Sequence, residues 1–316
     1  MRRVAVIYNP FSGQHLQRRK AVIAETLAVL RGAGIEAELL EIDVPGSAAA
    51  HAMDAVRRGF DTVLACGGDG TAHKILQCLV GTEVALGVVP LGTANALAVN
   101  LGLGSSPVEA VRRLVHAKPV KVPVGRISYQ DASGASGSRY FTVAAGVGID
   151  ALFISRLDPA LKRRFGYALY VTECMRVWAT HSFPLFRVAI VGRSGQAPRV
   201  EQVSQLLAVR IRNFGGALHT LAPGATLHKG CLHVIAFKTR SRFRYLRFLL
   251  AVIFRRQRFS PHVELLDAVT VDCYSHPDTA SRVFVEADGD LLGTLPARIE
   301  MADQLLTLLM PANARP

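Results

Sequence analysis

Gly67-Gly68-Asp69-Gly70-Thr71 sets an acidic side chain among three glycines. It stands between an apolar run, Thr62–Ala65, and helix-like sequence that opens near Thr71 and continues through Ala72 and His73. Glycines at such a junction let backbone N–H groups approach phosphate oxygens with no Cβ in the way. The helix start behind them adds partial positive charge. An aspartate here would repel phosphate unless a cation lay between them. Asp69 is therefore a candidate contact to a phosphate-bound magnesium, or a base aimed at an acceptor hydroxyl. The loop is neither a Walker A sequence nor GxGxxG. Two companions share its character. Asn9-Pro10-Phe11-Ser12-Gly13 follows the first apolar run and is a turn by composition. Pro90-Leu91-Gly92-Thr93-Ala94-Asn95 follows another, and its Thr93 and Asn95 can hydrogen-bond phosphate or ribose, with Thr93 also readable as an ordinary helix cap. Near the other end, Asp288-Gly289-Asp290 lies between Val283–Val285 and Leu291–Leu295, where a hairpin turn is expected.

The elements that must carry these loops alternate in the first 117 residues. Strands are expected at Val4–Tyr8, Glu36–Ile42, Thr62–Ala65 and Val84–Val89. Between them fall helices, one built on Ile23, Leu27 and Leu30, one capped by Ser47 and stopped at Gly59, and others opening near Thr71 and Thr93. Ser106-Pro107 begins a further helix through His116. This rhythm predicts a parallel sheet covered by helices, with the three loops side by side along one sheet edge. Beyond Lys118-Pro119 the texture turns to short strands separated by Gly, Ser and Pro, interrupted by helix-like sequence only near 160–179 and 241–256. A mainly antiparallel sandwich is expected there. The domains are read as 1–118, 119–295 and a C-terminal segment, 296–316, that returns to one of the other two.

With 37 Lys and Arg against 24 Asp and Glu, the 316-residue chain carries a formal charge of +13. It should be drawn to polyanions. The arginines from Arg240 to Arg258 are interleaved with Phe243, Leu246, Phe248, Leu249, Ile253 and Phe254, which suits an interfacial helix on anionic lipid better than a groove tracking nucleic acid. The segment Leu161–Trp178 has a similar mixture. Phe248–Phe254, seven residues, is too short for the ~20 a bilayer core requires. The five cysteines form no CxxC pair, and the N-terminus has no apolar leader. Peripheral membrane association from a cytoplasmic location is expected.

The four motifs in order, NPFSG at 9–13, GGDGT at 67–71, PLGTANALA at 90–98 and VEADGDLLG at 285–293, resemble the motif set of the bacterial-type diacylglycerol kinase-like lipid kinases. AAGVGIDA at 144–151 and LKRRFGYALYV at 161–171 fit the middle region of that family. GGDGT alone is shared with NAD kinases and phosphofructokinases, so it is the ordered set that is specific. The resemblance implies a Rossmann-like N-terminal domain, a β-sandwich C-terminal domain, and an ATP site in the cleft between them. It assigns nucleotide contacts to Asn9, Pro10, Phe11, Ser12 and Gly13, to Gly67, Gly68, Asp69, Gly70, Thr71, Ala72 and His73, and to Thr93. It gives the proton-acceptor role to Asp290, where the family has Glu, with Asp288 and Asp69 as competitors. The chain departs from the pattern at Ala96, where many members carry Asp. It departs again at Glu41, where many offer Thr. At Lys229 an aspartate of a structural magnesium site is replaced, and an ammonium is expected in that ion's place.

The expected activity is transfer of the γ-phosphate of ATP to a hydroxyl of diacylglycerol or a related membrane lipid, with magnesium. The alternatives are a NAD kinase-like or other soluble-acceptor kinase, and a non-catalytic basic protein that binds membrane or nucleic acid. A homodimer is left open.

Overall fold

The computed structural model describes residues 1–12, 16–44, 46–156, 172, 175–193, 197–214, 221–254, 261–276, 282–312 and 314. The chain forms two compact units, Met1–Val124 with Asp303–Pro316, and Gly125–Ala302. Gly13 and Leu161–Val171 lie outside the described residues.

The first unit is built from β1 (Arg3–Tyr8), α1 (Leu16–Gly32), β2 (Glu36–Glu41), α2 (Ser47–Arg57), β3 (Thr62–Gly67), α3 (Asp69–Leu79), β4 (Ala85–Pro90), α4 (Ala96–Asn100) and α5 (Pro107–Val115). Its strands are parallel, in the order β2-β1-β3-β4. The last turn of β15 (Asp290–Met310) joins the far side, with Leu308 opposite Leu86. All six residues of β3 and of β4 are buried, while β2 at the edge shows a mixed pattern. Central parallel strands are covered on both faces, so they read as unbroken apolar runs. Helix α1 packs on α5, and α2 on α3. Ser106 caps α5, its hydroxyl accepting from the Glu109 N–H, with Pro107 at the first turn.

Two expected starts shift. Helix α2 is capped by Gly46 at φ 104°, and Ser47 turns its hydroxyl to the Asp43 carboxylate instead. Helix α3 begins at Asp69, two residues before Thr71, so Asp69 sits in the first turn, where the helix dipole favours an anion.

The second unit contains the rest of β5 (Lys118–Gln130), then β6 (Ser136–Phe141), β7 (Ala144–Val147), α6 (Ile149–Arg156), β8 (Phe186–Val191), β9 (Arg199–Val203), β10 (Gln205–Val209), β11 (Leu232–Phe237), α7 (Arg242–Ile253), β12 (Val263–Ala268), β13 (Thr270–Tyr274), β14 (Phe284–Ala287) and the first part of β15. One antiparallel layer runs β12-β11-β10-β7-β14-β15. Another runs β15-β13-β8-β9, so one strand serves both. Phe141, Val147, Phe186, Val188, Leu206, Val234, Val271 and Val285 meet in the core of this sandwich. The opposite face of β11 is also buried. Ile235 and Phe237 pack with Tyr245, Phe248 and Val252 of α7, and the Phe237 and Tyr245 rings stack 4.6 Å apart.

The buried guanidinium of Arg210 gathers the loop before β11. It donates to the carbonyls of Leu227, Lys229 and Cys231 at 2.6–2.8 Å. Burial lowers its pKa to about 10. The Lys229 ammonium donates to the Gly224 carbonyl at 3.0 Å and lies 3.6 Å from the Asp267 carboxylate. Its two oxygen partners thus lie one on this loop and one on β12.

Candidate active-site loops and acidic hairpin

Backbone proximity at the strand ends of the first unit decides which residues can stand there. A Cβ added to Gly92 would fall 2.6 Å from the Gly68 Cα, and one added to Gly67 would fall 2.4 Å from the Thr71 hydroxyl. These are approaches that only glycine permits. Gly70 is different, because a Cβ there meets nothing within 4 Å. The glycines do two jobs. Gly67, Gly68 and Gly92 let loops and helix close on each other, and Gly70 leaves open space beside the first turn of α3.

Thr71, buried, ties the first loop to the second. Asn9 donates through Nδ2 to Thr71 Oγ1 at 2.8 Å, and the Ser12 hydroxyl is 3.5 Å from the same atom. The Gly68 N–H donates to Ser12 Oγ at 3.3 Å. The Phe11 N–H donates to Asn9 Oδ1 at 2.9 Å, closing a local turn. Arg19 of α1 donates to the Pro10 carbonyl. The Leu91 N–H donates to the Gly67 carbonyl, joining the second loop to the third. Asp69 Oδ1 then accepts from the Leu97 N–H at the start of α4.

In the third loop Asn95, rather than Thr93, precedes the helix. Asn95 takes a left-handed conformation at φ 47°. Its side chain accepts from the Gly92 N–H at 2.9 Å and donates to the Gly92 carbonyl at 2.8 Å. It is buried and locks the loop, whereas Thr93 is exposed. His73 and Ala72 are buried in α3.

In the second unit, Asp288-Gly289 forms the two-residue turn between β14 and β15, with φ of 47° and 86°. Positive φ at both positions is the turn that matches strand twist and favours Asp-Gly. The Asp288 carboxylate is occupied by backbone. One oxygen accepts from the Val143 and Ala144 N–H groups at 2.9 and 3.0 Å, and the other from the Thr142 N–H at 3.0 Å. These contacts make the side chain a structural clamp on the 142–144 backbone. Asp290 starts β15 and is half-buried.

Sequence reasoning passed over Glu286 as a separate group. It is 5% exposed, in β14, and accepts the Gly289 N–H at 2.9 Å. Burial, then the nearby charge of Asp150, raises its pKa well above the usual carboxyl range. The signal was available: a glutamate in the apolar context of Phe284, Val285 and Ala287. Among the described residues, no three His, Cys, Asp or Glu side chains are grouped to hold a metal ion.

Residues 3–127 match the family model of the diacylglycerol kinase catalytic domain, and residues 142–310 match that of the YegS C-terminal NAD kinase beta sandwich-like domain. The chain is 30% identical to a diacylglycerol kinase of Mycobacterium tuberculosis over 318 aligned positions, covering 98% of this chain and 96% of the relative. It is 24% identical to one from Bacillus subtilis, covering 98% and 97%. The crystal structure of a diacylglycerol kinase from Bacillus anthracis superposes with a TM-score of 0.74 at 18% identity over 98% of this chain and 97% of that one, which shows the common fold. The chain belongs to the diacylglycerol kinase family, with the Rossmann-like and β-sandwich units that its motifs imply.

The close approach of Gly92 to Gly68 gives a direct test. Gly92→Ala should leave the secondary structure intact by circular dichroism and weaken ATP binding by about tenfold or more in calorimetry, because the forced loop shift misplaces groups that need sub-ångström positioning. Wild-type affinity in Gly92→Ala would contradict this role for the contact.

Proposed function

We propose that this chain transfers the γ-phosphate of magnesium-bound ATP to a hydroxyl of diacylglycerol, or of a related single-hydroxyl lipid, at an anionic membrane surface, with Asp290 accepting the proton. Membership of the family makes it an ATP-dependent lipid kinase acting on an alcohol group. The observation that carries the reading is the closure of three strand-end loops around Thr71 and Gly68, inside the segment that matches the family's catalytic domain.

Asn9, Ser12 and Thr71 form one hydrogen-bonded set, and Gly70 leaves space beside them for a polyphosphate. Gly13, which the resemblance adds to this contact set, lies outside the described residues. Asp69 is a single carboxylate at a helix start, and magnesium is commonly held by one or two carboxylates together with substrate phosphates. The residues therefore fit an ion that arrives with the nucleotide. When bound, magnesium would neutralise charge on the β- and γ-phosphates. Asp69 orients the first turn of α3 against α4 through the Leu97 N–H.

The two aspartates of the hairpin have unequal duties in this reading. Asp288 holds the 142–144 backbone, and its oxygens are occupied by those N–H groups. Asp290 is the general base that receives the acceptor's hydroxyl proton as the phosphoryl group transfers. One methylene shorter than Glu, it asks the acceptor hydroxyl to come correspondingly closer.

Helix α7 supports the membrane part. Tyr245, Phe248 and Val252 face inward, yet Phe243, Leu250, Ile253 and Phe254 are exposed, Phe243 and Phe254 by 71% and 70%. Arg240, Arg242, Arg244 and Arg247 are exposed among them. An apolar face rimmed by arginines suits insertion at the headgroup level of an anionic bilayer. No described helix is long and apolar enough to cross a membrane. The soluble-acceptor and non-catalytic readings are not favoured, since the resemblance to diacylglycerol kinases spans nearly the whole chain.

Labelled ATP, magnesium and vesicles containing diacylglycerol should yield a labelled lipid. Asp290→Asn should lower kcat by about a hundredfold or more with little change in thermal stability. Asp288→Asn should instead lower the unfolding midpoint, by about 1–3 kcal/mol in stability, because an amide cannot accept all the N–H groups that the carboxylate serves. Full turnover in Asp290→Asn would remove the proposed base. For the surface helix, Phe243→Ser with Phe254→Ser should cut sedimentation with anionic vesicles by about tenfold, and unchanged sedimentation would place membrane contact elsewhere.

A further inference from the structure

Asp150 opens α6 immediately after β7, and Glu286 lies on β14 directly opposite Gly146 of β7. Their carboxyl groups share the volume above that glycine. A Cβ on Gly146 would fall 1.7 Å from Asp150 Oδ2 and 2.7 Å from Glu286 Oε1, which brings the two acids within a few ångströms of each other. Both Asp150 oxygens are shut off from solvent, with no well-aligned hydrogen-bond partner and only the weak local approach of the Asp150 and Ala151 N–H groups. Glu286 uses its other oxygen, Oε2, to hold the Gly289 N–H at the apex of the Asp288–Asp290 hairpin.

We propose that Asp150 and Glu286 share one proton and act together as a positioning pair, whose O–H···O contact over Gly146 fixes Glu286 and, through the Gly289 amide, the placement of Asp290. The proposal rests on the reading of Asp290 as the proton acceptor.

Two carboxylates at this separation in a dry site would repel strongly. A proton between them replaces repulsion with a short, charge-assisted hydrogen bond. It also gives the Asp150 oxygens a stronger partner than the weak local approach of their own N–H groups. The surroundings favour retention of that proton. Burial pushes Asp150 up to about 7. Glu286 is raised by burial, then by the charges of Asp150, Asp288 and Asp290, against the lowering effect of the Gly289 amide. From α7, Tyr245 faces Asp150, and its hydroxyl is engaged with Ser204 at 2.8 Å.

The pH dependence has a definite sign. Both folded-state values lie above those of an unfolded carboxyl. The stabilisation is therefore complete below the unfolded values and is lost as pH rises through the folded ones, first about 7 for Asp150 and then the further raised Glu286. Between the two the pair holds one proton; once that proton leaves, the two anions repel, Glu286 is pushed from Gly146, and the Gly289 anchor loosens.

The test uses the full chain as wild type, Asp150→Asn and Glu286→Gln, each read from about pH 5 to about pH 9. Three quantities are followed: the unfolding midpoint, the infrared carbonyl band of a protonated carboxyl, and kcat on diacylglycerol vesicles relative to each protein's own neutral value. Wild type should show a protonated buried carboxyl at neutral pH that disappears on the alkaline side, with a parallel fall in midpoint. In Asp150→Asn the amide N–H donates permanently, so the fall in midpoint should flatten, and the relative loss of kcat at high pH should shrink by about tenfold. Glu286→Gln should flatten the midpoint likewise. A wild-type pH dependence in Asp150→Asn would overturn the proposal, as would an infrared spectrum with both acids ionised at neutral pH. Should neither variant fold, the wild-type infrared titration decides alone. Unfolding and infrared readouts need no turnover. Their failure would sink the pair and leave the kinase reading standing, whereas intact titration without lipid phosphorylation would do the reverse.

Discussion

The backbone contact between Gly68 and Gly92 is the constraint on which the first unit's site depends. Parallel pairing of β3 with β4 puts the two strand ends side by side, and the absence of side chains lets the following loops touch. Once they touch, polar atoms that would otherwise face water find each other. Gly68 donates to Ser12, Asn9 to Thr71, and Leu97 to Asp69. A larger residue at Gly92 would force the loops apart before any ligand arrived, and one at Gly68 would crowd them. The site is therefore preorganised by packing, and hydrogen bonds refine it.

The second unit solves a different problem, which is how to keep several acids close together. The Asp288 carboxylate is engaged by three backbone N–H groups. Glu286 and Asp150 lie where neither can be readily ionised, above a glycine that alone makes room for them. Asp290 stands half-buried at the end of the hairpin, where the proposed function needs its base. The division follows from environment, since four carboxyl groups of similar intrinsic acidity receive different partners.

Much of this was legible in the sequence, for physical reasons that differ from element to element. Central strands β1, β3 and β4 announce themselves because burial on both faces demands continuous apolar residues. Edge strands hide. Arg199–Val203 and Val263–Ala268 escaped the reading because their charged residues pair across strands, Arg199 with Glu264 and Lys238 with Glu201. A strand is expected over Leu291–Leu295, with the chain divided after 295, yet one strand runs from Asp290 to Met310. Thr93 and Ser47 look like caps, but Asn95 and Gly46 take those places because the entering chain needs a left-handed residue there. The DGD turn was readable from type-specific turn preference. The pairing of Glu286 with Asp150 was not, because it joins residues 136 positions apart through a register that only the folded sheet defines.

Hydrogen exchange with and without magnesium and ATP tests the central claim most directly. If three strand-end loops form one polyphosphate cradle, amides in Asn9–Ser12, Gly67–His73 and Leu91–Leu97 should slow together on addition of nucleotide, while those of α2 keep their free rates. Nucleotide protection that appears elsewhere, or in only one of the three loops, would contradict the account.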